Sequence, residues 1–207
     1  MEDPIVELSK PPLGRSLLRA VFEYVGELVR VVVISLAIIL PIRYFLVQPF
    51  YVKGASMEPN FYDHEYLIID ELSYRVRTPV RGEIVVFRYP NDPSQFFIKR
   101  VIGLPGEKVH IEEEKIQITN AEHPKSFLLT ETYLPSSART YGTYSATLTP
   151  DEYYLLGDNR TSSLDSRMFG PVRKELLTGR VWIRGWPLDR VMRFSTPAYD
   201  TGGQGGT

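Results

Sequence analysis

The sequence predicts a mainly β protein, an antiparallel β domain behind one N-terminal apolar helix, and three observations carry that reading. Twelve residues from Val31 to Ile42 run without a charge. Beyond Pro49 the pattern changes, and short β-rich runs recur between turn signals. Only one later segment, Arg173 to Thr178, reads as a helix, with Gly179 placed as its C-cap.

The first 20 residues are polar and end in Arg15 and Arg19. The run that follows, VVVISLAIILPI, is too short by itself to cross a bilayer, which takes about 20 largely apolar residues. Extension through Tyr24, Val25 and Leu28, or through Tyr44, Phe45 and Leu46, supplies the length. Arg30 and Arg43 then reach the two interfaces on their apolar stems. Hydropathy alone leaves two readings open, a membrane anchor and a long core helix. A cleavable secretory signal fits poorly, because the run starts late and bulky or charged residues, Arg43 to Pro49, follow it. On the anchor reading the organisation is a cytoplasmic segment over 1–23, an anchor over 24–46, an extracytoplasmic β domain over 47–196 and a flexible tail over 197–207.

Within the β domain, strands are expected at Tyr66 to Ile69, Ile84 to Arg88, Phe96 to Ile102, Lys108 to Ile111, Lys115 to Ile118, Tyr153 to Leu156, Val181 to Arg184 and Val191 to Phe194. Residues 119–150 are rich in Thr, Ser, Tyr and Pro without clear period, and read as an insertion or extended hairpin. No internal repeat is visible.

Composition restricts the chemistry. The 207 residues contain no cysteine, which removes thiol nucleophiles, disulfides and cysteine-ligated metals together. Basic residues (24) nearly balance acidic ones (25), so no global positive field points to nucleic acid.

A serine nucleophile needs a base. None of His64, His110 and His123 lies in a Ser/His/Asp context such as Gly-x-Ser-x-Gly. Lysine is charged at neutral pH unless desolvated. Lys99 has the surroundings for that, with Phe96, Phe97 and Ile98 before it and Val101 and Ile102 after it, though a strand lysine whose head reaches solvent has the same pattern. Ser56, in YVKGASMEPNF, follows two small residues, Gly54 and Ala55, that let a substrate approach the backbone, and Pro59 and Asn60 make the next turn. A third cluster, GDNRTSSLDSRMFG at 157–170, concentrates aspartates, arginines and serines in a pattern suited to a buried polar scaffold. It lacks the ligand spacing and central glycine of a calcium-binding EF-hand loop, and GLPGEK at 103–108 lacks the spacer of a phosphate loop.

Taken together, QPFYVKGASMEP, DHEYLIIDELSYR with RGEIVVF, FIKRVIGLPGE and GDNRTSSLDSRMFG resemble, in that order, the bacterial type I signal peptidases, serine protease family S26. The resemblance spans most of residues 30–105 and 153–187 and implies a signal-peptidase-like β domain with an N-terminal transmembrane helix. By it, Ser56 is the nucleophile and Lys99 the general base of a Ser/Lys dyad. Ser163 would hydrogen-bond the lysine, and Asp158 and Arg167 would pair as support, with Arg100, Asn159, Asp165 and Ser166 in the surrounding network. Many members carry an oxyanion-hole serine where this chain has Gly54, so a backbone donor or water must substitute.

The implied substrates are signal peptides of exported preproteins, cleaved after small-x-small sites. They would be held extended against Phe50, Tyr51 and Val52 and against Phe96, Phe97 and Ile98, with shallow pockets around Met57 and Phe50. The implied setting is the cytoplasmic membrane, single-pass, in contact with the lipid bilayer, as a monomer without cofactor, metal or nucleic acid. A repressor-type self-cleaving protein shares a Ser/Lys dyad on a β fold, but needs a DNA-binding helix-turn-helix where this chain has VVVISLAIILPI. A non-catalytic membrane-anchored β module is the other rival, and the presence of Ser56, Lys99 and Ser163 together argues against it.

Overall fold

The structure, a computed structural model, describes the backbone of residues 13–45, 48–197 and 199 and the side chains of 19–40, 49–197 and 199. Residue contacts divide the chain into a unit ending at Tyr44 and a unit starting at Phe45.

The first unit is built on one helix, α1 (Leu13–Phe45). Its described side chains are all exposed, including apolar ones from Phe22 to Leu40. Among the described residues, no helix is long and apolar enough to cross a membrane. Glu23, Glu27 and Arg30 lie within that described part, and its uncharged run begins only at Val31.

The second unit is mainly antiparallel β. Its strands are β1 (Gln48–Tyr51), β2 (Tyr66–Asp70), β3 (Ile84–Tyr89), β4 (Asp92–Gly103), β5 (Lys108–Glu112), β6 (Lys115–Thr119), β7 (Phe127–Leu128), β8 (Tyr144–Thr147), β9 (Glu152–Leu156), β10 (Val172–Arg173), β11 (Leu177–Trp186) and β12 (Met192–Arg193). Two one-turn helices, α2 (Ser73–Val76) and α3 (Ser166–Phe169), punctuate them. The larger sheet runs β1-β2-β11-β3-β4-β9-β10, with β12 added to β11, and the smaller runs β7-β6-β5-β8.

The strand β3 explains why its sequence is continuously apolar rather than alternating. Ile84 and Val86 pack in a cluster with Val52, Met57, Phe61, Leu67 and Ile69. Val85 and Phe87 pack with Val101, Tyr153 and Leu155. Successive side chains leave a strand on opposite faces, so both faces of the sheet are covered here. A third cluster, with Val109, Ile111, Ile116 and Ile118, holds the smaller sheet against Ile102 and Leu156 of the larger one.

Two expectations need correction. Arg173 to Thr178 is not an α-helix: Val172 and Arg173 pair with Tyr153 and Glu152, a single 3-10 turn covers Lys174–Leu176, and Leu177 already belongs to β11. Gly179 is therefore no helix cap. It lies inside β11, where an added Cβ would stand 2.7 Å from Ile69 Cγ2 and 2.8 Å from the Asp70 carbonyl oxygen, so close strand approach demands glycine. Residues 119–150 are less irregular than their composition suggests, because β7 and β8 add the two outer strands of the smaller sheet. The flexible tail expected over 197–207 lies largely outside the described residues. Tyr199 is described, and it packs at the edge of the third cluster.

Candidate active site

The Ser56 loop leaves β1, passes through Gly54 in the left-handed region (φ 86°), and closes with a helical turn in which Phe61 N–H donates to the Met57 carbonyl at 2.9 Å. That turn directs Met57 into the core, where it is 1% exposed beside Val52 and Phe61. The pocket-forming surface expected from Met57 is thus absent: the residue supports the loop from beneath.

The extended β4 contributes Lys99, which is 3% exposed. Its Nζ lies 2.7 Å from Ser56 Oγ and 2.8 Å from the Ile98 carbonyl oxygen, and 5.5 Å from the centre of the Phe97 ring. Burial pulls the Lys99 pKa down to about 8, against the opposing pull of the Asp165 and Asp158 carboxylates. An amine so placed is neutral in a usable fraction near pH 8, and a neutral amine at hydrogen-bond distance from a hydroxyl can accept a proton.

The 157–170 block surrounds this pair, and its ion pairs differ from those the resemblance implies. Asp158 and Arg167 do not pair. Arg100 Nε and Nη2 donate to Asp158 Oδ1 and Oδ2 at 2.8 and 2.7 Å, both side chains being buried, while Arg100 Nη1 donates to the Gly82 carbonyl at 2.9 Å. Arg167 instead forks onto Asp165, Nε and Nη2 each at 2.8 Å. The reason is chain direction: Asp165 caps α3 by accepting from Arg167 N–H, which puts the two side chains on the same turn. Asp165 also accepts from Gly157 N–H at 3.0 Å, and Ser166 Oγ accepts from Leu155 N–H at 2.9 Å. Asn159 secures the Ser56 loop, its N–H donating to the Ser56 carbonyl at 3.1 Å and its Nδ2 to the Ala55 carbonyl at 3.0 Å.

Ser163 Oγ is buried with no hydrogen-bond partner among the described residues, so the bond to Lys99 that the resemblance implies is not made in this conformation. Gly54 N–H donates to Asp63 Oδ1 at 2.9 Å. That donor is engaged.

A cleft of about 450 Å³ ends at Ser56 and Lys99 and is lined by Phe50, Tyr51, Val52, Phe96, Phe97 and Ile98 among others. The expected substrate residues other than Met57 thus share one wall system. Leu164 joins them from the 157–170 block, and Gln95 from β4. Two site neighbours carried no signal of their own in the sequence. Asn60 read only as a turn residue, yet its Nδ2 donates to Asp158 Oδ2 at 2.8 Å. Tyr133 sits in the segment without clear period, yet its ring lies 3.8 Å from the Arg100 guanidinium carbon. Among the described residues no group of His, Asp and Glu is placed to hold a metal ion.

A serine hydroxyl against a buried amine, at the end of an apolar cleft flanked by strands, has the equipment of a serine hydrolase acting on extended peptides. The model of the signal peptidase, peptidase S26 family matches residues 25–186. A probable signal peptidase I-2 of Synechocystis is 38% identical over 80% of this chain and 75% of its own length, and a signal peptidase I of Leptolyngbya laminosa is 33% identical over 83% and 84%. The crystal structure of a signal peptidase I from Enterococcus faecalis, 28% identical, aligns with 51% of this chain and 98% of its own at a TM-score of 0.43. The chain belongs to the signal peptidase, peptidase S26 family, and with it is a serine endopeptidase of the signal peptidase I type.

Proposed function

We propose that this protein is a membrane-anchored signal peptidase I that removes signal peptides from exported preproteins by a Ser56/Lys99 dyad. The observation that carries the reading is the 2.7 Å separation of Lys99 Nζ and Ser56 Oγ at a lysine only 3% exposed. Neutral Lys99 takes the Ser56 proton as Oγ attacks the scissile carbonyl. The lysine then protonates the leaving amine, and an acyl-enzyme remains. Water, deprotonated by the same amine, hydrolyses the ester. The Ser56 N–H supplies one oxyanion donor.

The substrate lies extended in the cleft between β1 and the Phe96 to Ile98 part of β4, as an added strand. Against the apolar walls of the cleft, small side chains are favoured at the first and third positions before the cut. Residues 24–46 form the anchor, 47–196 the extracytoplasmic catalytic domain and 197–207 the tail, with a monomer in the cytoplasmic membrane. Support for the anchor is the exposure of every described side chain of α1, including the uncharged stretch from Val31 to Leu40, for which lipid is the natural cover.

The test is cleavage of a preprotein in detergent by wild type, Ser56→Ala and Lys99→Ala. Activity in the wild type alone is expected, and normal processing by either variant would remove the dyad.

A further inference from the structure

Segment 129–141 lies outside the four blocks that carry the resemblance, yet three of its contacts converge on the ion pair beside the candidate base. The Arg100 guanidinium carbon lies over the Tyr133 ring, 3.8 Å from its centre. The Tyr133 carbonyl accepts from Asn60 Nδ2 at 3.1 Å, and the same amide nitrogen donates to Asp158 Oδ2. Glu131 receives a forked pair of hydrogen bonds from Arg160, which also donates to Thr140 Oγ1 at 2.7 Å and to the Gly157 carbonyl at 3.0 Å. The Tyr133 hydroxyl donates back to Glu131, so the two gripping residues are tied to each other.

We propose that Tyr133 is a positioning residue for the dyad, holding Arg100 on Asp158 and so controlling the charge that Lys99 meets. The proposal rests on the dyad reading of Ser56 and Lys99.

The electrostatics follow from the neighbours. Lys99 faces the Asp165 and Asp158 carboxylates and the Ser56 hydroxyl. Arg100 faces Asp158, Tyr133 and Tyr199, and Asp158 in turn faces Arg100, Asn60 and Arg160. Arg167 occupies Asp165. Each carboxylate favours the lysine cation, and each is offset by its own arginine. A guanidinium against an aromatic face in a desolvated setting is held by the ring as well as by its carboxylate. Without the ring, Arg100 gains freedom and water gains entry. Asp158 is then less neutralised, and Lys99 holds its proton to higher pH.

The experiment compares wild type, Tyr133→Leu and Tyr133→Phe in full-length enzyme, measuring kcat, KM and the pH dependence of kcat on a signal-peptide substrate. The leucine variant keeps apolar bulk and loses the ring face. A kcat at neutral pH lowered on the order of tenfold is expected, with KM little changed and the limb where the base loses its proton moved upward in pH. Tyr133→Phe keeps the face over Arg100 and restores the wild-type limb. A limb that stays at its wild-type position in Tyr133→Leu overturns the proposal, since a packing role would lower the folded fraction without moving it. Full activity in Lys99→Ala overturns the dyad reading and this proposal with it, so the two failures are told apart.

Discussion

Gly157 and Ser163 stand so close that a Cβ on the glycine would fall 2.1 Å from Ser163 Oγ, and the same Cβ would fall 2.5 Å from the Ser56 carbonyl oxygen. The glycine lets the end of β9 lie directly against the Ser56 loop. Gly157→Ala must therefore push the loop, because a backbone atom cannot yield as a long side chain can. Misplacement by about 1 Å costs on the order of a hundredfold in rate. A kcat lowered by about that factor is expected, with the protein still folded by circular dichroism. Unchanged kcat would show that the loop moves freely.

The pKa of Lys99 gives a pH prediction in two parts. Only the neutral amine accepts a proton, so kcat/KM should rise as pH increases through about 8 and level above it. A limb near 10.5, the ordinary lysine value, would mean that Lys99 is not the base.

Stability should follow the same group. Burial lowers the folded-state pKa beneath the unfolded value, so between about 8 and 10.5 the unfolded chain binds the extra proton. Stability attributable to Lys99 is full above 10.5 and is lost as pH falls through about 8. Lys99→Met should therefore unfold at a higher temperature than wild type at pH 7, and the gap should close towards pH 10.5. A gap that is independent of pH would contradict the assignment.

The pair of Arg100 and Asp158 is buried at both ends. Asp158→Ala leaves a guanidinium without its carboxylate in the interior, which costs about 3 to 5 kcal/mol. Thermal unfolding in detergent should show that loss. Arg173→Ala serves as the comparison, because its bonds to Asp151 and Glu175 are exposed and screened by water, so no comparable loss is expected.

Phe50 and Phe96 meet edge to face, 5.3 Å between ring centres, across the wall of the cleft. Phe96→Ala opens that wall without touching Ser56 or Lys99. KM for a preprotein should rise about tenfold at most, with kcat kept. A fall in kcat alone would place Phe96 in the chemistry rather than in substrate holding.

Most strands were legible because β-branched and aromatic runs bounded by turn residues signal them locally. Tyr66 to Ile69 became Tyr66–Asp70, and Ile84 to Arg88 became Ile84–Tyr89. The misread helix before Gly179 shows the limit of that signal. Glycine permits a helix cap and a close strand crossing alike, and only the neighbours, Ile69 and Asp70, decide between them. Met57 shows it again: an apolar residue beside a candidate nucleophile reads equally as pocket wall or core, and the turn to Phe61 decided for core.

By itself, the sequence determined that this chain has no thiol chemistry and that an uncharged run precedes a β domain, and it offered a serine and one lysine among apolar neighbours as candidates for nucleophile and base. Those are properties of residue type and local pattern. Tertiary structure alone decided which arginine holds which aspartate, that Asn60 bridges to Asp158, and that Tyr133 lies on Arg100. Any carboxylate attracts any guanidinium, so composition cannot choose among partners. Chain direction and burial choose, by bringing residues as far apart in sequence as Asn60 and Asp158 within 2.8 Å while Asp165 takes the arginine on its own turn.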